Sequence, residues 1–207
     1  MIYSSNNKNN VNLAAEKILN GEIIIYPTDT LYGLGVDATN CKAIDSLNKL
    51  KKRTQKYSII ISSIDDINKY AYISQKKKQK IKKIFPGPYT IILNKKKSHL
   101  SSLVDLNSET IGIRIPESDF ILEVVKKCDK PIVTTSVNYH GQKSIQDIKE
   151  IEFFFRDIDI FKKEKIPKGL HNALGLYMVL SIFFYEEHLN VIRNLSFSNL
   201  IVKVIYF

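Results

Sequence analysis

Short apolar runs rich in β-branched residues alternate along this chain with segments that have the hydrophobic spacing of an amphipathic helix. Such alternation is typical of proteins in which helices cover the faces of a β-sheet. The predicted strands are 23–26, 57–63, 89–93, 110–116 and 131–137, and the predicted helices are 10–21, 40–53, 63–71, 74–85 and 120–128. The sequence therefore predicts an α/β fold with a mixed sheet.

The size of the chain favours a single domain. It has 207 residues, of which 44% are hydrophobic, and this is enough for one sizeable core. We expect residues 9–195 to form the domain, with an N-terminal extension at 1–8 and a C-terminal tail at 196–207. The end of that tail, 201–207, has the pattern of an edge strand or of an adhesive tail.

The sequence has no pattern typical of a secreted or membrane-spanning protein. The longest uncharged apolar stretch, 173–185, is too short to span a bilayer, and the first ten residues lack the apolar region of a signal peptide. Cys41 and Cys128 have no metal-binding spacing and are too few for a disulfide scaffold, so two inert thiols are the simplest interpretation. We expect a soluble intracellular protein in the cytoplasm.

The chain is basic, with a formal net charge of +10, and its densest basic runs are 74–85 and 94–100. An excess of positive charge can indicate binding to the phosphate backbone of a nucleic acid. The whole chain, however, is rich in Lys, Ile and Asn and has no Trp, as expected when base composition biases codon usage. The charge pattern alone leaves both interpretations open.

Polar residues collect at the ends of the predicted strands, where open α/β sheets bind ligands. The first set, PTDTLYGLG at 27–35, has glycines that fit neither a dinucleotide-binding fingerprint nor a phosphate loop. The four other sets lie at 51–53, 86–90, 110–116 and 134–138.

Together these sets resemble the YrdC-like family, the threonylcarbamoyl-adenylate synthases. The family pattern is Pro-Thr-Asp/Glu-Thr-x-Tyr-Gly-Leu, Lys-x-Arg, Pro-Gly-x-x-Thr, Arg-x-Pro and Ser-x-Asn, and all of these motifs occur here in order. The resemblance covers about residues 9–150, with a weaker similarity to about residue 193. It implies a single-domain, open and twisted mixed β-sheet flanked by helices.

The resemblance also implies a reaction. Members of the family are nucleotidyltransferases that convert L-threonine, bicarbonate and ATP to threonylcarbamoyl-AMP and pyrophosphate, the first step of N6-threonylcarbamoyladenosine formation in tRNA. ATP would be a substrate, Mg²⁺ its counter-ion without dedicated protein ligands, and tRNA and the downstream threonylcarbamoyl transferase further partners; no membrane is implied. Such chemistry requires cations around the leaving pyrophosphate and no protein nucleophile, which agrees with sets rich in Thr, Ser, Asn, Lys and Arg.

Individual roles follow from the positions that match the family. The residues implied to bind threonine are Thr30, Arg114, Thr134 and Ser181. The residues implied to bind ATP are Lys51, Arg53, Thr110, Ser136, Asn138, Ser144 and Arg193, and the catalytic residues among them are Lys51 and Arg53.

Within this scheme, the turn after Pro27 would present amides and hydroxyls to a small zwitterion, and Gly33 would let the chain turn closely around it. Each implied site residue also has an ordinary structural interpretation. Thr30 could cap a helix, Arg53 could pair with a surface carboxylate, and Ser136 could close a turn. The resemblance assigns no nucleotide contact near Tyr57.

Two other classes of function remain open from the sequence. The first is a double-stranded RNA- or tRNA-binding module of the same fold without synthase activity, which the positive charge favours. The second is an unrelated nucleotide-dependent transferase on an open α/β sheet, which would make five ordered motifs a coincidence. Pyrophosphate release that requires threonine, bicarbonate and ATP together would separate these alternatives.

Overall fold

The computed structural model describes residues 1–52, 54–139 and 142–163, together with the backbone of 203–206. The helices within these residues are α1 (Lys8–Leu19), α2 (Cys41–Lys51), α3 (Ile67–Tyr70), α4 (Gln75–Ile81), α5 (Ser102–Asp105), α6 (Asp119–Cys128) and α7 (Ile148–Phe154). The strands are β1 (Ile2–Ser4), β2 (Ile24–Tyr26), β3 (Gly33–Asp37), β4 (Ser58–Ile60), β5 (Tyr89–Asn94), β6 (Thr110–Arg114), β7 (Ile132–Ser136), β8 (Asp159–Lys162) and β9 (Lys203–Tyr206).

All the described strands belong to one open sheet, in the order β1–β8–β2–β3–β7–β4–β6–β5–β9. Parallel pairs (β1/β8, β2/β8, β4/β6 and β5/β9) occur beside antiparallel pairs (β2/β3, β3/β7, β4/β7 and β5/β6). The predicted α/β class with a mixed sheet is therefore confirmed. Strand β1, from the segment 1–8, and strand β9, from the segment 196–207, form the two edges, so both terminal segments contribute to the sheet.

The two faces of the sheet bury different sets of side chains because residues alternate between faces along a strand. On one face, Ile24, Ile60 and Ile132 are completely buried in an apolar cluster with residues of α1 and α6. On the opposite face, Ile59 and Val133 belong to a larger cluster that includes residues of α2. Arg114 and Thr134 lie on the face that carries α1 and α6, whereas Lys51 belongs to α2 on the opposite face.

Helix α1 has the predicted length but begins and ends two residues earlier than the predicted helix 10–21. The Asn7 side chain accepts a hydrogen bond from the Asn9 N–H at 3.0 Å and caps the N-terminus. The C-terminal cap is Asn20, and Gly21 follows it with a φ of 81°, a value that glycine adopts without a steric cost. The Gly21 N–H donates to the Ile18 carbonyl at 3.0 Å, and the chain then enters β2.

The largest difference from the sequence prediction is strand β3. Residues 33–37 were expected to lie in a loop with Gly33 at a tight turn, but they form a fully buried strand between β2 and β7. The prediction for Gly33 is wrong, because among the described glycines Gly21 is the one with a positive φ. Position 33 needs glycine for a different reason: the Tyr26 side chain occupies the space that a Cβ atom would fill.

Two predicted helices are shorter than expected. Helix α3 covers Ile67–Tyr70, and α4 ends at Ile81 instead of continuing to residue 85. After Ile81 the chain makes tighter turns, in which the Ile84 N–H donates to the Ile81 carbonyl at 3.0 Å. No helix in the described part of the chain combines the length and the apolar character needed to cross a bilayer.

Candidate active site

The turn that follows β2 is built around Thr28. Its hydroxyl accepts a hydrogen bond from the Thr30 N–H at 3.1 Å and donates to the Leu31 carbonyl at 2.6 Å. The Ser118 hydroxyl, at the start of α6, donates to the Pro27 carbonyl at 2.9 Å. These bonds connect the turn to the helix that covers this face of the sheet.

Arg114, the last residue of β6, reaches this turn. Its Nη2 donates to Asp29 Oδ1 at 2.6 Å and to Thr30 Oγ1 at 2.7 Å. Arg114 Nε and Asp29 Oδ2 are buried, and neither has a hydrogen-bond partner within the described residues. Because a guanidinium has five N–H donors in a planar fork, Arg114 has donors left for an acceptor such as a carboxylate.

Sequence reasoning predicted Arg114 and Thr30 but missed Asp29. The structure brings Arg114 and Thr30 into direct contact, and Asp29 supplies the negative charge that a buried guanidinium needs. No local pattern distinguished Asp29, because Asp is common in turns and is usually exposed there.

The pairing of strands places several predicted residues on one face. Thr134 of β7 pairs with Ser58 of β4, which in turn pairs with Gly112 of β6. Residues two positions apart along a strand share a face. The predicted residues that flank this row on the same face are Thr110, Arg114 and Ser136.

Tyr26, at the end of β2, crosses over β3 and reaches β7. Its hydroxyl donates to Thr134 Oγ1 at 2.9 Å, and its side chain is completely buried. A Cβ atom on Gly35 would lie 2.7 Å from Tyr26 Cε1, and a Cβ on Gly33 would lie 3.0 Å from Tyr26 Cζ. The two glycines of β3 therefore leave room for the Tyr26 ring, which explains the Gly-Leu-Gly sequence.

Burial raises the pKa of Tyr26 to about 12, although the hydrogen bond to Thr134 and the positive charge of Arg114 oppose this rise. The phenol therefore stays protonated at neutral pH. From the sequence, Tyr26 was predicted only as the end of an apolar strand. Its role in the site was not predicted, because no local pattern relates it to a residue on another strand.

Lys51 forms a second polar cluster at the end of β7. It is the last residue of α2 and is only 1% exposed. Its Nζ donates to the Ser136 carbonyl at 2.7 Å and to Asn138 Oδ1. The Ser136 hydroxyl donates to the same Asn138 oxygen at 3.0 Å, and Asn138 Nδ2 donates to the Gln142 carbonyl at 2.6 Å. The structure thus brings three of the residues predicted to bind ATP together.

The remaining predicted residues differ in their relation to this cluster. Thr110 begins β6, and its hydroxyl lies 3.4 Å from that of Ser108. Ser144 is half-buried in the loop after β7, and the next residue, Ile145, donates its N–H to the Val137 carbonyl at 2.8 Å. The predicted residues Arg53, Ser181 and Arg193 lie outside the described residues.

Tyr57, where the resemblance gave no contact, is a buried core residue whose hydroxyl donates to Asn48 Oδ1 at 2.8 Å. Within residues 1–52, 54–139 and 142–163, no group of three or more His, Cys, Asp or Glu side chains is arranged to hold a metal ion.

The two polar clusters give the site a guanidinium with hydroxyls at one end and a buried ammonium with amide and hydroxyl groups at the other. Such groups bind carboxylates and phosphates.

Comparison with protein families gives a match over residues 16–172 to the Sua5/YciO/YrdC model, described as "Telomere recombination". The chain is also 40% identical over 139 residues to a putative threonylcarbamoyl-AMP synthase of Methanocaldococcus jannaschii, which covers 66% of this chain and 64% of that protein. It is 32% identical over 145 residues to the threonylcarbamoyl-AMP synthase of Bacillus subtilis, which covers 68% of this chain and 41% of that protein. The chain thus spans less than two thirds of the length of these relatives.

The fold is similar to that of solved structures. A crystal structure of Sua5 from P. abyssi complexed with L-threonine matches with a TM-score of 0.72 and 24% identity, over 79% of this chain and 50% of that one. At this identity the likeness concerns the fold, which is the same open mixed sheet.

Proposed function

Because the chain belongs to the Sua5/YciO/YrdC family, we propose that it makes threonylcarbamoyl-AMP from L-threonine, bicarbonate and ATP, with release of pyrophosphate. The named relatives of M. jannaschii and B. subtilis support this reaction. The neighbouring fold that holds L-threonine supports the amino acid as a substrate. The reaction makes this chain a nucleotidyltransferase.

The observation that carries the proposal is the arrangement of two polar clusters along β7. Thr134, beside the Tyr26 hydroxyl, and Ser136, beside Lys51, are two residues apart on one strand. Two residues of an extended strand span about 6.8 Å. A threonine held near Arg114 would therefore have its amino group close to a nucleotide held near Lys51.

At the threonine end, Arg114 would bind the α-carboxylate with the donors that Asp29 and Thr30 do not use. Thr30 and Thr134 would supply hydroxyls to the same molecule. A planar guanidinium suits a carboxylate better than a point charge does. We propose Ser181 as a further threonine contact on the basis of the resemblance alone.

At the nucleotide end, Lys51 and Arg53 would face the phosphates, with Ser136 and Asn138 beside them. Thr110, Ser144 and Arg193 are proposed as further ATP contacts. In the structure Lys51 Nζ donates a hydrogen bond to Asn138 Oδ1. When a triphosphate binds, Lys51 would give up this hydrogen bond and donate to a phosphate oxygen instead.

The chemistry proceeds in two balanced steps. The threonine amine attacks the carbon of bicarbonate, and loss of water leaves an N-carboxylate. An oxygen of this carboxylate then attacks the α-phosphorus of ATP, and the bond to the bridging oxygen breaks as pyrophosphate leaves with the electron pair. Lys51 and Arg53 would stabilise the negative charge that develops on pyrophosphate, which is the largest catalytic contribution such groups make.

Mg²⁺ would enter as the counter-ion of ATP and reduce the charge of its phosphates. The proposed reaction consumes ATP and serves tRNA modification, so we expect it to occur in the cytoplasm. The product is a reactive anhydride, and a downstream threonylcarbamoyl transferase would carry the group to tRNA.

Direct RNA binding is a second candidate activity, because α4 and the residues that follow it carry several lysines. Lys76, Lys82 and Lys83 are exposed. Lys78, in contrast, is 9% exposed and pairs with Asp65 at 2.9 Å, which makes it unsuitable for a phosphate contact. A module that only binds RNA would have no need for a buried guanidinium beside two threonine hydroxyls.

The test of the proposed function is a pyrophosphate-release assay on the full chain with each substrate omitted in turn. Release should occur with threonine, bicarbonate and ATP together and fall to background when any one is missing. Release from ATP alone would favour an unrelated nucleotide-dependent enzyme. No release, together with tight RNA binding, would favour the RNA-binding module.

A further inference from the structure

Tyr26 connects three strands of the sheet through one side chain. It originates on β2, its ring lies over Gly33 and Gly35 of β3, and its hydroxyl ends at Thr134 of β7. A side chain that filled space alone would need no hydroxyl at this position, and burying an unpaired hydroxyl is unfavourable. The contact with Thr134 is therefore a specific feature of the site.

The direction of this hydrogen bond determines what Thr134 can do. Tyr26 donates its proton to Thr134 Oγ1. A threonine hydroxyl has one hydrogen and two lone pairs, so Thr134 still has its own hydrogen to donate. Across the described residues, Tyr26 is the one side chain that hydrogen-bonds the Thr134 hydroxyl.

The surroundings indicate which kind of group would accept that hydrogen. The positive charge of Arg114 acts to lower the pKa of the Tyr26 phenol, so the guanidinium and the two hydroxyls belong to one electrostatic environment. A positive charge near a hydroxyl that can still donate its hydrogen favours an anionic oxygen as the acceptor.

We propose that Tyr26 is a positioning residue that fixes the Thr134 hydroxyl as a hydrogen-bond donor to an anionic oxygen of the amino-acid substrate. The inference rests on the proposed function and adds to it a residue that contacts no substrate atom. Tyr26 acts through Thr134: it occupies one lone pair of the hydroxyl and so restricts its rotation.

The experiment compares Tyr26→Phe with the wild-type chain. Phenylalanine keeps the ring against Gly33 and Gly35 and removes only the hydroxyl. We expect the Kd for L-threonine, measured by calorimetry, to rise about three- to tenfold, as for loss of one neutral hydrogen bond. The KM for ATP should stay within about twofold, because the Tyr26 hydroxyl bonds Thr134 and, in the described part of the chain, has no hydrogen bond to Lys51, Ser136 or Asn138.

Tyr57→Phe is the matched control. Tyr57 is also a buried tyrosine whose hydroxyl donates to a side chain, Asn48, at 2.8 Å. Loss of the Tyr57 hydroxyl should lower stability about as much as Tyr26→Phe does, since each variant loses one buried neutral hydrogen bond, and should leave the threonine Kd unchanged. An equal rise in Kd for both variants would overturn the inference, since it would reflect stability alone.

A double-mutant cycle completes the test. In a Thr134→Val background, Tyr26→Phe should have no further effect on the threonine Kd, whereas in a Thr134→Ser background, which retains the hydroxyl, it should again raise Kd. Equal effects in the valine and wild-type backgrounds would overturn the inference. A wild-type chain that binds no threonine would overturn the proposed function and the inference with it, whereas normal binding by Tyr26→Phe would overturn only the inference.

Discussion

The Arg114 guanidinium and the Asp29 carboxylate form an ion pair with an N–O distance of 2.6 Å, and their side chains are only 8% and 10% exposed. A buried guanidinium needs a counter-charge because removal from water is costly for an ion. The pair therefore fixes the turn after β2 to the end of β6. It also positions the residue that we propose binds the substrate carboxylate.

Replacement of Asp29 by alanine should destabilise the protein strongly. The change leaves the buried Arg114 charge without its partner, and breaking a buried pair in this way costs about 3 to 5 kcal/mol. Urea unfolding gives the difference in the free energy of unfolding. Asp45→Ala is the control, because Asp45 pairs with Lys49 at 2.7 Å on an exposed helix surface and should cost less than about 1 kcal/mol. Similar costs for the two variants would contradict the role of Asp29.

Replacement of Arg114 by lysine should weaken threonine binding more than tenfold. Lysine keeps the charge opposite Asp29 but cannot reproduce the planar fork, and a hydrogen bond to a charged group is worth about 1.5 to 3 kcal/mol. Calorimetric titration with L-threonine and with ATP measures the two affinities separately. Arg156→Lys, at an exposed position, should change neither. A loss of ATP affinity with normal threonine binding would mean that the two ends of the site are reversed.

Alanine at Gly35 should destabilise the protein by about 1 to 3 kcal/mol, the usual cost of overpacking a core. The new Cβ would lie 2.7 Å from Tyr26 Cε1 and 2.8 Å from Ile132 Cγ2. Alanine at Gly33 should cost less, since the three atoms nearest to its Cβ all belong to the Tyr26 side chain, at 3.0 Å or more. Thermal unfolding of both variants gives the order, and a Gly33 variant less stable than the Gly35 variant would count against this explanation of the glycines.

Replacement of Lys51 by methionine should lower the rate of pyrophosphate release about 100- to 1000-fold, as for loss of one charge-stabilising donor. Methionine preserves most of the apolar stem in a position that is 1% exposed. Lys49→Met, two residues earlier on α2 and largely exposed, is the control and should retain normal turnover. A fully active Lys51→Met variant would exclude Lys51 from the ATP site. The same assay on Arg53→Ala tests the other proposed catalytic cation.

If the basic surface formed by α4 and the two residues after it binds RNA, replacement of Lys76, Lys82 and Lys83 by glutamine should flatten the salt dependence of binding. The log–log slope changes by about 0.9 for each lost contact with duplex phosphate and about 0.7 for a single strand. Glutamine at Lys8, Lys42 and Lys126, which are exposed elsewhere, removes the same charge and is the control. An identical slope in both triple variants would favour compositional bias as the origin of these lysines.

The sequence predicted the elements whose periodicity is set by burial. Strands β4 to β7 and helices α1, α2 and α6 all have apolar residues at the spacing of the face they bury. Strand β3 was not predicted because Gly33 and Gly35 interrupt the apolar pattern of a strand. The reason for these two glycines is the space taken by the Tyr26 ring, which only the three-dimensional structure shows. Local spacing cannot reveal a contact between positions 26 and 134.

The predicted site residues show the same limit. Thr30 with Arg114, and Lys51 with Ser136 and Asn138, were named from motifs, and the structure brings each group into contact. Asp29 and Tyr26 were not named, although Asp29 bonds Arg114 and Tyr26 bonds the predicted residue Thr134. Their roles depend on burial and on distances between strands, which a linear pattern does not contain.

The most direct test of the proposed reaction follows the carbon of bicarbonate into the product. The full chain is incubated with ¹⁴C-bicarbonate, L-threonine and ATP, and the nucleotides are separated by chromatography. We expect a labelled adenylate that forms only when threonine is present and whose amount equals the pyrophosphate released. Pyrophosphate release without transfer of the label, or a labelled adenylate formed without threonine, would contradict it.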